Sequence, residues 1–305
     1  MNAIRAFVSG LGAVLRAPLT VIAAAVLTFV TAIPFALVLG ERVQRALDDQ
    51  PPIMLGSEEI DADWWLEFRR HAEGLEATFT PAIIGFAAPL SNLSALLDGD
   101  APAAAMLWPI ALAIVTWSLL WGVAIERFRR GGSRRAGALI GAGLRSLPRF
   151  IVIALVAAAV QLFLYLTVHR LLFDVVFPAA TARIANEPAA FMVRVGLYLI
   201  FGLFVAAVML AADYSRIASA LRSSTSGIAF VRAHWRSALA LLAVVTIVLA
   251  VFLVLYGVGE AYGGSRVAGW RGVVIGQAFV LLRIAMRLVT IASEVRLFER
   301  FDRSY

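Results

Sequence analysis

Arg283 and Arg287 interrupt an otherwise apolar run, "GVVIGQAFVLLRIAMRLVTIAS", residues 272–293. They stand four apart, so on a helix they share one face, and Thr290 and Glu294 continue that face. If the run crosses a bilayer, Arg283 lies about 11 residues, or ~16 Å, from the end at Gly272 and so near mid-membrane. A guanidinium at that depth costs at least about 2.5 kcal/mol, so it turns toward a bundle interior or a wet cavity. Gln161, mid-way along another apolar run, is the polar side chain placed to offer it a carbonyl. Two readings follow. Arg283, Arg287 and Gln161 form a buried site for an anion or a conduction path. Alternatively, the last helix is long and tilted, and both arginines reach toward headgroups and Glu294.

Other chemistries fall away on composition. All 27 basic residues are arginine, because the chain has no lysine, and it has no cysteine either. Phosphate-loop, Schiff-base and kinase lysines are therefore excluded, as are disulfides, thiolate metal sites and cysteine nucleophiles. His71, Ala72 and Glu73 spell the H-x-E of zinc deaminases, but the required P-C-x-x-C is missing. The acidic group Glu58, Glu59, Asp61 and Asp63 lacks the glycine and distal glutamate of a calcium loop and reads as a solvated loop. No G-x-S-x-G is present. The expectation is a non-enzymatic protein with no metal, no cofactor and no catalytic residues.

The elements that position these arginines are membrane spans. Hydrophobic residues make up 61% of the 305 and charged residues 15%, too few charges to coat a water-soluble surface. Five charge-free runs are long enough to cross ~30 Å of hydrocarbon: 19–40, 101–125, 150–168, 195–212 and 237–259. The arginine-bearing run 272–293 makes a sixth. The first run is too long for a cleaved signal and stays as an anchor. The predicted fold is all-α, a polytopic transmembrane helix bundle of six spans forming a single integral membrane domain, residues 1–305. An acidic outer-side segment, 41–100, lies within it. Residues 77–97 are apolar, but Pro81, Pro89 and Asn92 mark them as re-entrant or interfacial, and Trp64 and Trp65 suit the headgroup zone.

Threading six spans collects the arginines on one side. "RFRRGGSRRAGALIGAGLRSLPRF", residues 127–150, carries seven of them, and Arg216, Arg222, Arg232 and Arg236 fall on the same side with both chain ends. Segment 41–100 holds twelve of the twenty acids and four arginines and falls on the other. By the positive-inside rule the arginine-rich side and both termini are cytoplasmic. The basic excess is thereby explained by topology, without nucleic acid. Asp213, three residues before Arg216, reads as one half of a local helical ion pair. Arginine-only, alanine-rich composition also goes with GC-rich bacterial genomes. The setting is a bacterial inner membrane, with the lipid bilayer, anionic lipids or another membrane protein as partners.

Three entries into the membrane look alike: "GAVLRA" at 12–17, "GAGLRS" at 141–146 and "RAHWRS" at 232–237. Each follows a short amphipathic stretch and precedes an apolar span, as if an interfacial helix turned into the bilayer three times. Two further segments, "AADYSRIASALRSS" at 211–224 and "GQAFVLLRIAMRL" at 276–288, give the chain its resemblance to a group of uncharacterised bacterial six-span inner-membrane proteins. The resemblance implies the same topology and carries no activity with it. Two functions remain open: a permease or binding component for an anionic solute or lipid headgroup, or a structural partner in a membrane complex.

Overall fold

The computed structural model describes residues 3–48, 62–72, 107–132, 135–263 and 270–302. The stretch 77–97, the acids Glu58, Glu59, Asp61 and Asp63, and Glu73 of the H-x-E lie outside the described residues. Among the described residues every regular element is helical. Helix α1 (Ala3–Leu15) precedes α2 (Pro18–Asp48), and α3 (Ala62–His71) follows. Next come α4 (Leu107–Phe128) and α5 (Ala136–Leu164). The latter continues through two π-helical stretches, Tyr165–His169 and Leu171–Val176, into α6 (Phe177–Thr181). Three long helices complete the chain: α7 (Glu187–Leu221), α8 (Gly227–Gly263) and α9 (Trp270–Asp302).

Among the described residues six helices are long and apolar enough to cross a membrane, and the six expected runs fall on them, except that 101–106 of the second run lie outside the described residues. Their lipid-type surface is plain from burial. In the most apolar window of α2 only 6% of residues are buried, and the same holds for the α5–α6 limb. Leu19, Ile22, Val26, Phe29, Val152, Leu155, Val156 and Phe163 stand exposed. Water does not tolerate so continuous an aliphatic surface, and a bilayer does.

Burial gathers at one end. Helices α7, α8 and α9 have 35, 37 and 33 residues, about 50 Å each, so they overshoot the hydrocarbon by ~20 Å. The overshooting ends, rich in arginine, pack into a core of Trp121, Tyr214, Ile217, Phe230, Leu297 and Phe298. Ala3, Ala6, Gly10 and Val14 recur at helical spacing on α1 and seat it along α9. Gly10 makes that approach feasible: a Cβ there would lie 2.1 Å from Ser293 Oγ and 2.8 Å from the Ser293 nitrogen. Gly122 and Gly143 do the same for α4 against α5, where a Cβ on Gly122 would meet the Gly143 Cα at 2.8 Å.

The threefold entry pattern is realised in three different ways. In the first unit the chain breaks between α1 and α2, where Pro18 opens the second helix. In the third, the amphipathic stretch 224–231 enters α8 at Gly227 and the turn is a kink at His234, whose φ −124° and ψ 28° leave the helical region. In the second, the described part of the amphipathic stretch, residues 136–140, already belongs to α5, and Pro148 is carried inside the helix. Only α1 is a separate amphipathic helix. The other two stretches are first turns of long helices, because α5 gains its partner, α4, at once through the glycine contact.

Candidate functional site

The inward face predicted for α9 meets the end of α7. Glu294 and Thr290 are buried, and Thr290 Oγ1 donates to the Met286 carbonyl at 2.9 Å. Across from them Asp213 is 5% exposed, low enough that it must be held by partners rather than water. Arg216 donates to Asp213 Oδ1 at 2.6 Å, and Arg287 Nη2 approaches the same oxygen at 3.9 Å. Glu294 lies within electrostatic reach of Asp213, Arg216 and Arg287. Two carboxylates and two guanidiniums therefore share one buried cluster between helices.

Trp121 of α4 forms the floor of this cluster. The guanidinium carbons of Arg216 and Arg287 sit 5.3 Å and 5.4 Å from its ring centroid, within cation–π range. Tyr214 packs behind, 4.7 Å from the Phe230 ring, with its hydroxyl and Glu294 Oε2 both buried and without a hydrogen-bond partner. A second set of ion pairs ties the extreme ends together. Glu126 accepts two bonds from Arg129, at 2.7 and 2.9 Å. Glu299 accepts from the Arg130 backbone at 2.8 Å and lies near the Arg130 and Arg296 guanidiniums.

Next to the buried cluster opens a cavity of about 680 Å³. Five helices line it: α2 with Thr28, α4 with Trp117, α7 with Met209, α8 with Leu242 and Thr246, and α9 with Arg283 and Arg287. Arg287 thus has two environments, Asp213 and Trp121 on one side and the cavity on the other. Arg283 faces the cavity and has no carboxylate partner among the described residues. The hydroxyls of Thr28 and Thr290 donate back to the Ala24 and Met286 carbonyls of their own helices. Apart from the Thr246 hydroxyl, what faces the space is a wall of aliphatic and aromatic carbon with one compensated guanidinium and one that has no carboxylate partner among the described residues. Such a lining accepts a ligand with an anionic head and an apolar body.

Of the expected site residues, Arg283 and Arg287 share this cavity and Gln161 does not. Gln161 is half-buried on α5, outside the cavity wall, and α5 packs on α4 and α7 rather than on α9. The carbonyl expected for Arg283 is not supplied from there. Asp213–Arg216 is the local pair read from the sequence, but it also holds Arg287 from another helix. Trp121 and Tyr214 were not marked by sequence reasoning. The one signal for them is proximity to charge, Tyr214 beside Asp213 and Trp121 five residues before Glu126. His169 lies in an aromatic stack with Tyr165, Phe173 and Phe201, and His234 stacks between Phe230 and Phe301, so both serve packing. Fold and site together define a multi-pass helical membrane protein with an arginine-bearing cavity among its spans. Comparison with known protein families, with curated proteins and with solved structures returned no match.

Proposed function

We propose that this chain is a non-enzymatic permease or binding component of a bacterial inner membrane, with both termini cytoplasmic, that takes an anionic amphiphile through Arg283 and Arg287. The observation that carries this reading is the cavity of about 680 Å³ in which Arg283 meets no carboxylate among the described residues. In an apolar surround an anion is the one ligand that relieves an unpaired guanidinium, and Arg forks suit carboxylate and phosphate alike. The five-helix wall supports a ligand site over a filled scaffold core. The hydroxyls of the lining are threonines, with no imidazole or carboxylate beside them, which favours binding over catalysis.

A structural role beside another membrane protein would call for a face of small residues that lets backbones approach. The outward face of α5 presents mostly bulky side chains matched to lipid tails, Val152, Leu155, Val156, Leu162 and Phe163, beside the small Ala158 and Ala159. The test is ligand-induced stabilisation of purified protein in neutral detergent. A single-chain anionic phospholipid should raise the unfolding midpoint of the wild type, as binding to the native state alone requires. The shift should fall in Arg283→Leu and be largely restored in Arg283→Lys. An equal shift in Arg283→Leu and wild type would sink the proposal.

A further inference from the structure

A second place combines the same two chemistries away from Arg283. Between α1 and the ends of α4 and α9 lies a basic cavity of about 710 Å³ that includes Arg16, Arg127, Arg129, Arg130 and Arg296 in its wall. Glu126 and Glu299 engage the last three, as the ion pairs above describe. Arg16 and Arg127 have no carboxylate partner among the described residues. Both arginines also line a neighbouring groove of about 450 Å³, which is otherwise almost wholly apolar. Leu19 and Ala23 of α2, Val123 of α4 and Ile140 of α5 form its sides. It follows α4 from Arg127 back to Leu120, seven residues or about 10 Å.

We infer that this paired feature is a binding site for an anionic glycerophospholipid: its phosphate is held between Arg16 and Arg127, and one acyl chain lies in the groove beside Ala23. The two unpaired guanidiniums come from different helices and stand at the mouth of a hydrocarbon-lined trough, a charge and polarity sequence that matches a headgroup followed by a tail. A free phosphate satisfies the arginines but leaves the groove unfilled. A neutral amphiphile fills the groove but leaves the arginines unpaired. The site also straddles the break between α1 and α2, so an occupant would bridge the amphipathic helix to the bundle.

The probe is phosphatidylglycerol carrying a photoreactive group on one acyl chain, added to the purified full-length protein, with adducts mapped by peptide mass spectrometry. Adducts are expected on the peptides containing Leu19–Ala24 and Leu120–Val123. They should fall at least tenfold in the Arg16→Gln/Arg127→Gln double variant, and equally in Ala23→Trp, which fills the groove and leaves the arginines in place. Adducts near Thr28 and Leu242, around the Arg283 cavity, should persist in both variants, which separates this site from that one. Labelling unchanged in both variants overturns the inference. So does equal labelling by a phosphatidylcholine probe, which removes the anion requirement. Competition by millimolar glycerol 3-phosphate also overturns it, because the arginines would then serve a free anion.

Discussion

Asp213 is shared by two guanidiniums on different helices, and that sharing makes it the most consequential acid among the described residues. Removing it leaves the buried Arg216 and the partly exposed Arg287 with only Glu294 near them among the described acids, and breaking a buried pair such as Asp213–Arg216 costs about 3–5 kcal/mol. Asp213→Ala should therefore lower the unfolding midpoint sharply in a fluorescence-based thermal scan. Adding Arg216→Met should recover part of the loss, since it withdraws one uncompensated charge, and a simple sum of the two losses would argue against a shared cluster. Much of this was legible. The i, i+4 spacing of Arg283 and Arg287, and the continuation to Thr290 and Glu294, placed one face of α9 inward, and Asp213 with Arg216 read as a pair. That these two groups are one cluster was not legible, because the contact depends on which helices are neighbours. Trp121 escaped for a related reason. Tryptophan in an apolar run signals packing or an interface, and nothing in its spacing announces two arginines over its ring.

Helices are held at their basic ends by glycine contacts as much as by charge. Gly10→Ala should force α1 from α9, since the new methyl would press on Ser293 Oγ at 2.1 Å and on backbone at 2.8 Å. Overpacking of this kind costs about 1–3 kcal/mol. Combining it with Ser293→Ala should restore only part of the midpoint, because the hydroxyl goes and the backbone contact stays. Full recovery would mean that the helices do not approach as closely as described. Such positions are hard to read from a single chain, in which an isolated glycine in a helical stretch registers only as a propensity penalty. The spans were easy by contrast, since twenty uncharged residues in sequence have few alternatives. The junctions were intermediate. Arginine before an apolar run marked all three entries, yet break, straight passage and kink depend on when each helix gains a partner. Arg222 ends α7 in the left-handed region at φ 52°, in a hydrogen-bonded cap where glycine is usual, so Arg222→Gly should leave stability unchanged or raise it slightly.

For the whole molecule the central prediction is sidedness. The chain has no native cysteine, so single cysteines report position without background. Ser224→Cys, in the turn after α7, should react with a membrane-impermeant maleimide only after the cytoplasmic face is opened, and Asn186→Cys, at the start of α7, should react in intact spheroplasts. The opposite pattern would invert the arginine-based orientation. Six spans and an arginine-rich end were readable because hydrophobic length and charge asymmetry are properties of sequence. The cavity was not, since its wall is drawn from five helices separated by up to 262 positions, from Thr28 to Thr290. Among the described residues the buried contacts gather at the arginine-rich end, while the long aliphatic faces of α2 and α5 stand open as a hydrocarbon-like skirt. If the Arg283 cavity takes the anionic amphiphile proposed above, a guest drawn from the surrounding leaflet would load at a rate set by its abundance among the lipids rather than by its solubility in water, which a lipid dilution series would read.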